Sequence, residues 1–496
     1  MDRQEGRFEC SSGGRCPILC LLVAGILLLP WGTSLAGAAA ENLLSVYNLA
    51  LENDPRFQAQ EFRHEASPEA LNQAYADLLP TLEAEASYQR REQQIISSDV
   101  AVFGSGEARY PTRGYTLTLT QPLWRYDAIV GVMQAKHEVR GADLAFEAAK
   151  QELMLRVAEA YMGALEARDN LTFTRAEEEA VQAHFNLARG RYRNGLAPIT
   201  DYHDARARLA NVQARKAEAQ NRMEDALEAL RELTGERLED LASLKEEPME
   251  GGDYRAAITR RPESSAAPGE DAEPPSDSSS PLDALLAPPD PDDAGAWIEA
   301  AGEQNPTLEA KRQEVEVARR EISRQNAGHM PRLELVGRLN RNDEGGSLFG
   351  GESDVQTWEG MVQLKIPIFN GFGVVSKVRE ARTLHKAAKK DLEREERALR
   401  RETKAAFLGV KAAIQSARAL RQSVLSHRVA VEAKRRGFRS GLFPSLAVLD
   451  AERDLHLARQ DHAKAQYDYL LNSLRLKAAV GTLSEDALAE VNGWLE

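Results

Sequence analysis

The chain has 496 residues, with 63 Lys and Arg against 77 Asp and Glu for a net charge of −14, and aromatic residues make up only 6%. An acidic balance of this size argues against a nucleic-acid partner, and the Ala/Glu/Arg/Leu bias with few aromatics favours long helices over a compact aromatic core. The 3 cysteines (Cys10, Cys16, Cys20) all lie near the N-terminus, so the rest of the chain offers neither a disulfide framework nor a thiolate metal site.

In chain order, Arg3, Arg7 and Arg15 precede an apolar run from Ile18 to Leu29, followed by Ala38-Ala39-Ala40 and Glu41. That is the pattern of a secretory signal peptide over 1–40, with an apolar run too short to span a bilayer. A retained anchor helix is the alternative. Cys16 and Cys20 lack the small preceding residue of a lipoprotein cleavage site.

The remainder is written twice. Asn53-Asp54-Pro55 precedes Leu78-Leu79-Pro80, and Gln304-Asn305-Pro306 precedes His329-Met330-Pro331, with the prolines 25 positions apart in both copies. Gln121-Pro122-Leu123-Trp124 answers to Ile366-Pro367-Ile368-Phe369, and Tyr192 to Pro198 answers to Phe438 to Pro444. The expected units are repeat 1 over 41–249, an inter-repeat insert over 250–294 and repeat 2 over 295–496. Prolines, serines and acids dominate residues 262–293, a composition expected to remain disordered.

Each copy is expected to open with a helix (43–78 and 295–328), ended by Pro80 or Pro331. Period-two strands follow in hairpins over 82–123 and 333–369. Leu82, Ala84, Ala86 and Tyr88 alternate with Glu83, Glu85, Ser87 and Gln89, and Tyr115, Leu117 and Leu119 alternate with threonines. Leu333, Leu335 and Leu339 are set against Glu334, Arg338 and Asn340; Trp358, Val362, Leu364 and Ile366 against Glu359, Gln363 and Lys365. Polar loops are expected over 91–112 and 341–356. Long helices are expected over 128–193 and 374–438, with lengths near 100 Å at 1.5 Å per residue. Their apolar residues keep a 3.5-residue repeat: Leu153, Val157, Ala160, Ala164, Ala167, Leu171, and Ala406, Val410, Ala413, Ala417, Leu420, Val424. That repeat specifies coiled-coil packing. Gly195 and Gly441 mark sharp reversals, with Pro198 and Pro444 in the first turn of return helices over 198–234 and 444–480. A further segment closes the chain.

Helices satisfied by their own heptads leave the apolar strand faces to meet lipid, and a lipid-facing sheet must close. Four strands are too few for known membrane barrels, so several chains must complete one. An amphipathic sheet lying on the helices is the alternative. The ordered motifs Glu41-Asn42-Leu43-Leu44, Leu78-Leu79-Pro80, Gly195-Leu-Ala-Pro-Ile-Thr-Asp201 and Ala479-Val480-Gly481-Thr482-Leu483 resemble the TolC family of outer-membrane channel-tunnels. The resemblance implies an α+β membrane protein. Three copies would form a 12-stranded outer-membrane β-barrel, four strands per chain, continuous with a 12-helix periplasmic α-barrel of coiled coils. It implies a passive exit duct for type I protein secretion or multidrug efflux. Such a duct stands in outer-membrane lipid and works with a periplasmic adaptor and an inner-membrane pump, either an ABC exporter or a proton-driven one. No cofactor is implied.

The same resemblance supplies the site residues. The return-helix tips of the family close into an iris ringed by two aspartates per subunit; Asp450 matches one, and Ala447 stands in place of the other. Three such carboxylates about 8 Å apart would repel by about 2 kcal/mol per pair at an effective dielectric near 20. An exposed acid in a first helical turn is the plainer alternative for Asp450. Asp201 matches an aspartate that holds the family's iris closed, while Phe438 and Phe443 replace its tyrosine and arginine partners. The expected iris therefore closes through other contacts or rests looser. Trp124 and Trp358 are candidate membrane-interface anchors, with ordinary packing the alternative for Trp124.

Two motifs carry less. Ile366-Pro-Ile-Phe-Asn-Gly371-Phe-Gly373 is superficially like a dinucleotide loop but lacks its third glycine, and a strand-to-helix elbow accounts for it. His456 and His462, with Asp461, do not share the i,i+4 spacing of a helical metal site. No nucleophile–base pair or phosphate loop points to an enzyme. A periplasmic adaptor and a pore-less structural coiled coil are the competing classes; the former normally has one helical hairpin flanked by soluble β-domains, not two hairpins with membrane-type strands.

Overall fold

A computed structural model describes residues 41–94, 96, 107–238, 240–245, 286–346 and 351–495. The signal-peptide expectation and most of the insert lie outside the described residues.

Among the described residues, twelve helices and strands occur as one order repeated, with a short closing helix after them and one 3-10 turn (Ala327–His329) in the second copy. In the first copy these are α1 (Leu43–Asn53), α2 (Pro55–Ala76), β1 (Thr81–Gln94), β2 (Glu107–Trp124), α3 (Tyr126–Arg193) and α4 (Ile199–Thr234). The second copy supplies α5 (Ala294–Gln304), α6 (Pro306–Asn326), β3 (Arg332–Glu344), β4 (Ser353–Lys365), α7 (Gly373–Arg439) and α8 (Ser445–Val480), before α9 (Glu485–Asn492). Partner helices match closely: α3 has 68 residues and α7 67, while α4 and α8 have 36 each.

The expected single helix over 43–78 is two helices, and so is that over 295–328. The break falls on the proline each copy carries. Pro55 and Pro306 have no N–H and hold the preceding residue out of the helical region, so Asp54 (ψ 112°) and Asn305 (ψ 119°) become N-caps. The oxygen of the Asp54 side chain accepts from Arg56 N at 3.2 Å, and that of Asn305 from Leu308 N at 3.0 Å. At the reversals, Gly195 (φ +69°) and Gly441 (φ +78°) take the left-handed conformation, and Pro198 and Pro444 are the N-caps of α4 and α8 rather than first-turn residues.

The four strands form one antiparallel sheet in the order β1-β2-β3-β4. They pair well into the segments expected as loops, with Arg91 opposite Tyr110 and Asn342 opposite Val355. There polar residues dominate both faces, with Tyr110 and Val355 as exceptions, so the period-two signal fades while backbone pairing continues. The register slips once, between Pro122 and Trp124, where proline cannot donate to the ladder.

The core lies where the helices cross. Leu43, Val46, Tyr47 and Ala50 of α1 bury against Leu153, Val157, Tyr161 and Leu165 of α3, together with Leu230, Val410, Leu470, Leu474 and Leu488. The Tyr161 hydroxyl lies 2.9 Å from Glu41 O and 2.8 Å from Ala242 O, fastening the start of the described chain to the segment after α4. Leu153, Val157, Ala164, Val410, Ala417 and Val424 are buried, as the heptads require. Residues 286–293, inside the expected insert, are anchored at their start: Leu286 is fully buried, and Ala287 O accepts from the Tyr469 hydroxyl at 3.1 Å, while most of the stretch is exposed. The apolar Leu286 gives the chain a foothold there that composition alone hides.

Candidate functional site

The first functional surface is the sheet. Paired residues point to one side, so the register sorts the side chains. Leu82, Leu119, Gly337 and Gly360 form one cross-strand row; Ala84, Leu117, Leu339 and Trp358 form the next. The opposite side carries Glu83, Thr118, Arg338 and Glu359 in one row and Glu85, Thr116, Asn340 and Thr357 in another. The apolar side is bare: Leu82 is 66% exposed, Val362 64% and Trp358 75%. From Leu364 to Gln356, β4 rises about 27 Å at 3.4 Å per residue, close to the roughly 25 Å apolar band of outer-membrane barrels. Just beyond, Arg113, Asp343 and Asp354 share a row, with Arg113–Asp343 at 3.5 Å and Arg341–Asp354 at 2.7 Å. At the opposite end Trp124, Phe369 and Phe372 are about half exposed or more, and the last two rings meet edge to face at 5.4 Å.

Strand becomes helix through an elbow. Gly371 (φ +58°) and Phe372 (φ +64°) are consecutive left-handed residues, and α7 begins at Gly373. The glycines of this stretch therefore serve a turn. β1 and β4 are the outer strands, and neither has a second partner among the described residues.

The second surface is the pair of helical tips. Leu196 N bonds Arg191 O at 2.8 Å in the first, and Leu442 N bonds Gly437 O at 2.8 Å in the second, so both reversals have one geometry. Leu196 is 74% and Leu442 77% exposed. The side chains differ. In the first tip Tyr192 stacks on Tyr202 at 5.7 Å, and Phe185 lies 5.7 Å from the same ring. In the second, the Phe443 ring covers Gly437 so closely that a Cβ there would lie 2.3 Å from it. Phe438 and Ala447 are half-buried, while Asp201 is exposed in the first turn of α4.

Asp450 does not stand alone. Its carboxylate accepts from Arg208 of α4 at 2.6 Å, and both side chains are about one-third exposed. This pair joins the return helix of one copy to that of the other. Beside it, Arg435 and Glu452 pair at 2.7 Å between α7 and α8. His184 of α3 is held below the ordinary histidine range by burial and by Arg208, against the opposing fields of Glu452 and Asp201. Farther from the tips α8 is fastened to α3 by Lys464–Glu166 (2.8 Å), the Tyr467 hydroxyl donating to Asp169 (2.7 Å), and Arg475–Glu159 (2.7 Å). Burial and the Asp169 carboxylate push the Tyr467 hydroxyl pKa far up, so it stays a donor. Sequence inspection finds Asp450 but misses Arg208 and Glu452, because their partners lie on other helices at no fixed spacing.

An apolar sheet face the height of a membrane band, continuous with paired helices of about 100 Å, defines an outer-membrane channel subunit. The profile of the family described as "Outer membrane efflux protein" matches residues 46–236 and 297–482, one segment in each copy. The chain belongs to that family. It is 34% identical over 471 residues to the outer membrane protein TolC of Vibrio cholerae serotype O1, covering 94% of this chain and 96% of that protein. The alkaline protease secretion protein AprF of Pseudomonas aeruginosa is 29% identical, with 90% and 86% covered. In fold it is similar to the Campylobacter jejuni CmeC outer membrane channel (TM-score 0.69, 18% identity, 92% of this chain and 89% of that one). It is similar also to VceC of Vibrio cholerae (TM-score 0.66, 18% identity, 88% and 96%). The protein is an outer-membrane export duct of this family, whose members are transport channels, and its helical part extends into the periplasm.

Proposed function

We propose that three copies of the chain close one barrel and one helical cylinder, and that the tips form its periplasmic gate. The observation that carries this is the sheet: four strands, an exposed apolar side and two open edges cannot remain in lipid unclosed. Three such sheets give twelve strands, an even count within the range of outer-membrane barrels. Trp358 on one side of the band, and Trp124 on the other with Phe369 and Phe372, suit the two membrane interfaces.

The substitutions at Phe438 and Phe443 remove the polar links expected for the closed iris. In this chain Arg208–Asp450 and Arg435–Glu452 take over that role, with the Phe443 ring stiffening its own turn over Gly437. Asp450 still lies near the gate, but the guanidinium beside it offsets most of the repulsion among three bare carboxylates. Cargo passes through without covalent chemistry, handed over by a periplasmic adaptor and an inner-membrane pump. The relatives' names span a protease secretion protein and TolC channels, which favours protein export with or without small-molecule efflux.

Single-channel recording of the purified protein in planar bilayers tests both parts. The wild type is expected to open to low conductance, and Arg208→Ala to raise it several-fold with the oligomer intact on a mild gel. A monomer unable to insert would overturn the barrel; an already wide conductance, unchanged by Arg208→Ala, would overturn the latch.

A further inference from the structure

The two long helices match in length but not in charge. The stretch 126–193 holds 9 Lys and Arg against 11 Asp and Glu, whereas 373–439 holds 19 against 7. The excess is concentrated. Lys390, Arg397, Lys404, Lys411 and Arg418 recur at seven-residue intervals and so share one side of α7. Arg379, Arg382, Lys386 and Arg400 fall on the same flank by helical geometry. The stripe from Lys390 to Arg418 is about 42 Å long at 1.5 Å per residue. Glu393 answers Lys390 at 2.6 Å and also pairs with Arg397. Lys404 has no ion-pair partner among the described residues.

The chain also carries a counterpart of opposite sign. Residues 262–293 contain 9 Asp and Glu and no Lys or Arg. Both ends of the segment 246–285, which lies outside the described residues, are fixed in the same belt of the molecule. Leu244 bridges to Leu495 at one end; at the other Leu286 is fully buried and Ala287 is bonded to Tyr469. The returning chain has already met the stripe, because Asp292 receives Lys411 at 2.9 Å.

We propose that the basic side of α7 is the docking surface for this chain's own acidic segment, residues 246–285. The link is a charge-paired association that needs no fixed fold. Forty residues fixed at both ends reach out and back over about 65 Å at 3.3 Å per residue, enough to follow the stripe. Each exposed pair is weak alone, but tethering supplies an effective concentration in about the millimolar range, so many weak pairs act together. Such an association is sensitive to salt, with screening over about 10 Å at 0.1 M. It masks the α7 charge from other anionic partners.

The test uses the full-length purified protein in detergent at 50 mM and 500 mM NaCl. Zero-length carbodiimide cross-linking, read by mass spectrometry, is expected to join Lys390, Lys404 or Lys411 to acids of 262–285 at low salt only. Trypsin is expected to nick at Arg260 and Arg261 at least tenfold faster at high salt. Charge reversal by Arg397→Glu, Lys404→Glu and Lys411→Glu should give the fast rate already at low salt. So should Glu270→Gln with Asp271→Asn and Glu273→Gln, which leaves α7 untouched. Cross-links from the stripe to Glu61, Glu65 or Glu69 of another copy, or nicking indifferent to salt and to both variants, would overturn the proposal.

Discussion

Where each copy passes from its first helix to its second, the same turn is stabilised in two ways. In copy one the N-cap is Asp54, 3% exposed, and its second oxygen accepts from Arg156 of α3 at 2.5 Å. In copy two the N-cap is Asn305, whose amide donates to Ala479 O at 2.9 Å. The cap and the following proline are constant; the third partner is a charge in one copy and a backbone carbonyl in the other. The tips behave alike. Gly195 and Gly441 turn identically, yet tyrosines stack beside one turn while Phe443 covers Gly437 beside the other. The long helices extend the pattern, near neutral in α3 and strongly basic in α7. Backbone devices are shared between the copies, and divergence is confined to what the side chains meet.

The sharpest way to break this comparison is at the caps. Asp54→Ala removes a cap worth about 1 kcal/mol and leaves the Arg156 guanidinium unpaired in a mostly buried place. Loss of one partner of a buried ion pair costs about 3–5 kcal/mol, and partial exposure of Arg156 sets the expectation at the low end. Urea unfolding of the detergent-solubilised protein should show a clear drop in midpoint. Asn305→Ala should cost less, about 1–3 kcal/mol, since it loses a neutral cap and strands one carbonyl. Equal losses at both positions would show that the Asp54–Arg156 pair contributes nothing beyond capping.

Next in size are the tip glycines. Gly195→Ala and Gly441→Ala force an L side chain into the left-handed region, at about 1–2 kcal/mol each. Neither position has a neighbour within 4 Å to add a clash, so the two losses should agree. A markedly larger loss at Gly441 would mean that the second tip relies on its turn more than the first does.

These devices differ in how far the sequence reveals them. Pro55, Pro306, Gly195 and Gly441 act locally, and the elements they bound are legible at once, apart from the helix break that the two Asx-Pro pairs themselves encode. The sheet faces are legible for the same reason, since a period of two needs no partner. Strand ends beyond Tyr88 and Asn340 escape because backbone pairing there outlasts the apolar alternation. The proposed gate is the least legible part. Asp450 is visible through resemblance, but Arg208 of α4 and His184 of α3 approach from two other helices and Glu452, beside Asp450 on α8, pairs with Arg435 of α7, a meeting set by how two hairpins cross.

The smallest expected effect concerns that meeting place, and it occurs in one copy only. His184 of α3 has its pKa lowered by burial and by Arg208, so the folded tip holds it neutral. Counting from the tip turns, its counterpart in α7 is Ala430, which cannot titrate. In the unfolded chain a histidine titrates near 6.5. As pH falls through that value the unfolded chain binds a proton that the folded tip still refuses, so stability drops on acidification. The drop levels off below the folded pKa, where both states are protonated. Above about pH 7 neither state binds the proton, and the contribution is constant. His184→Gln should therefore flatten part of the stability loss between pH 7 and 5, measured as the difference in unfolding midpoint between variant and wild type. Subtracting the two profiles removes the titration of groups common to both proteins. Because protonated His184 would also lie beside Arg208, the same acidification should weaken the Arg208–Asp450 link and raise the wild-type conductance modestly. A variant and a wild type with parallel profiles would place His184 outside the electrostatics of the proposed gate, leaving the two tips alike in their response to pH.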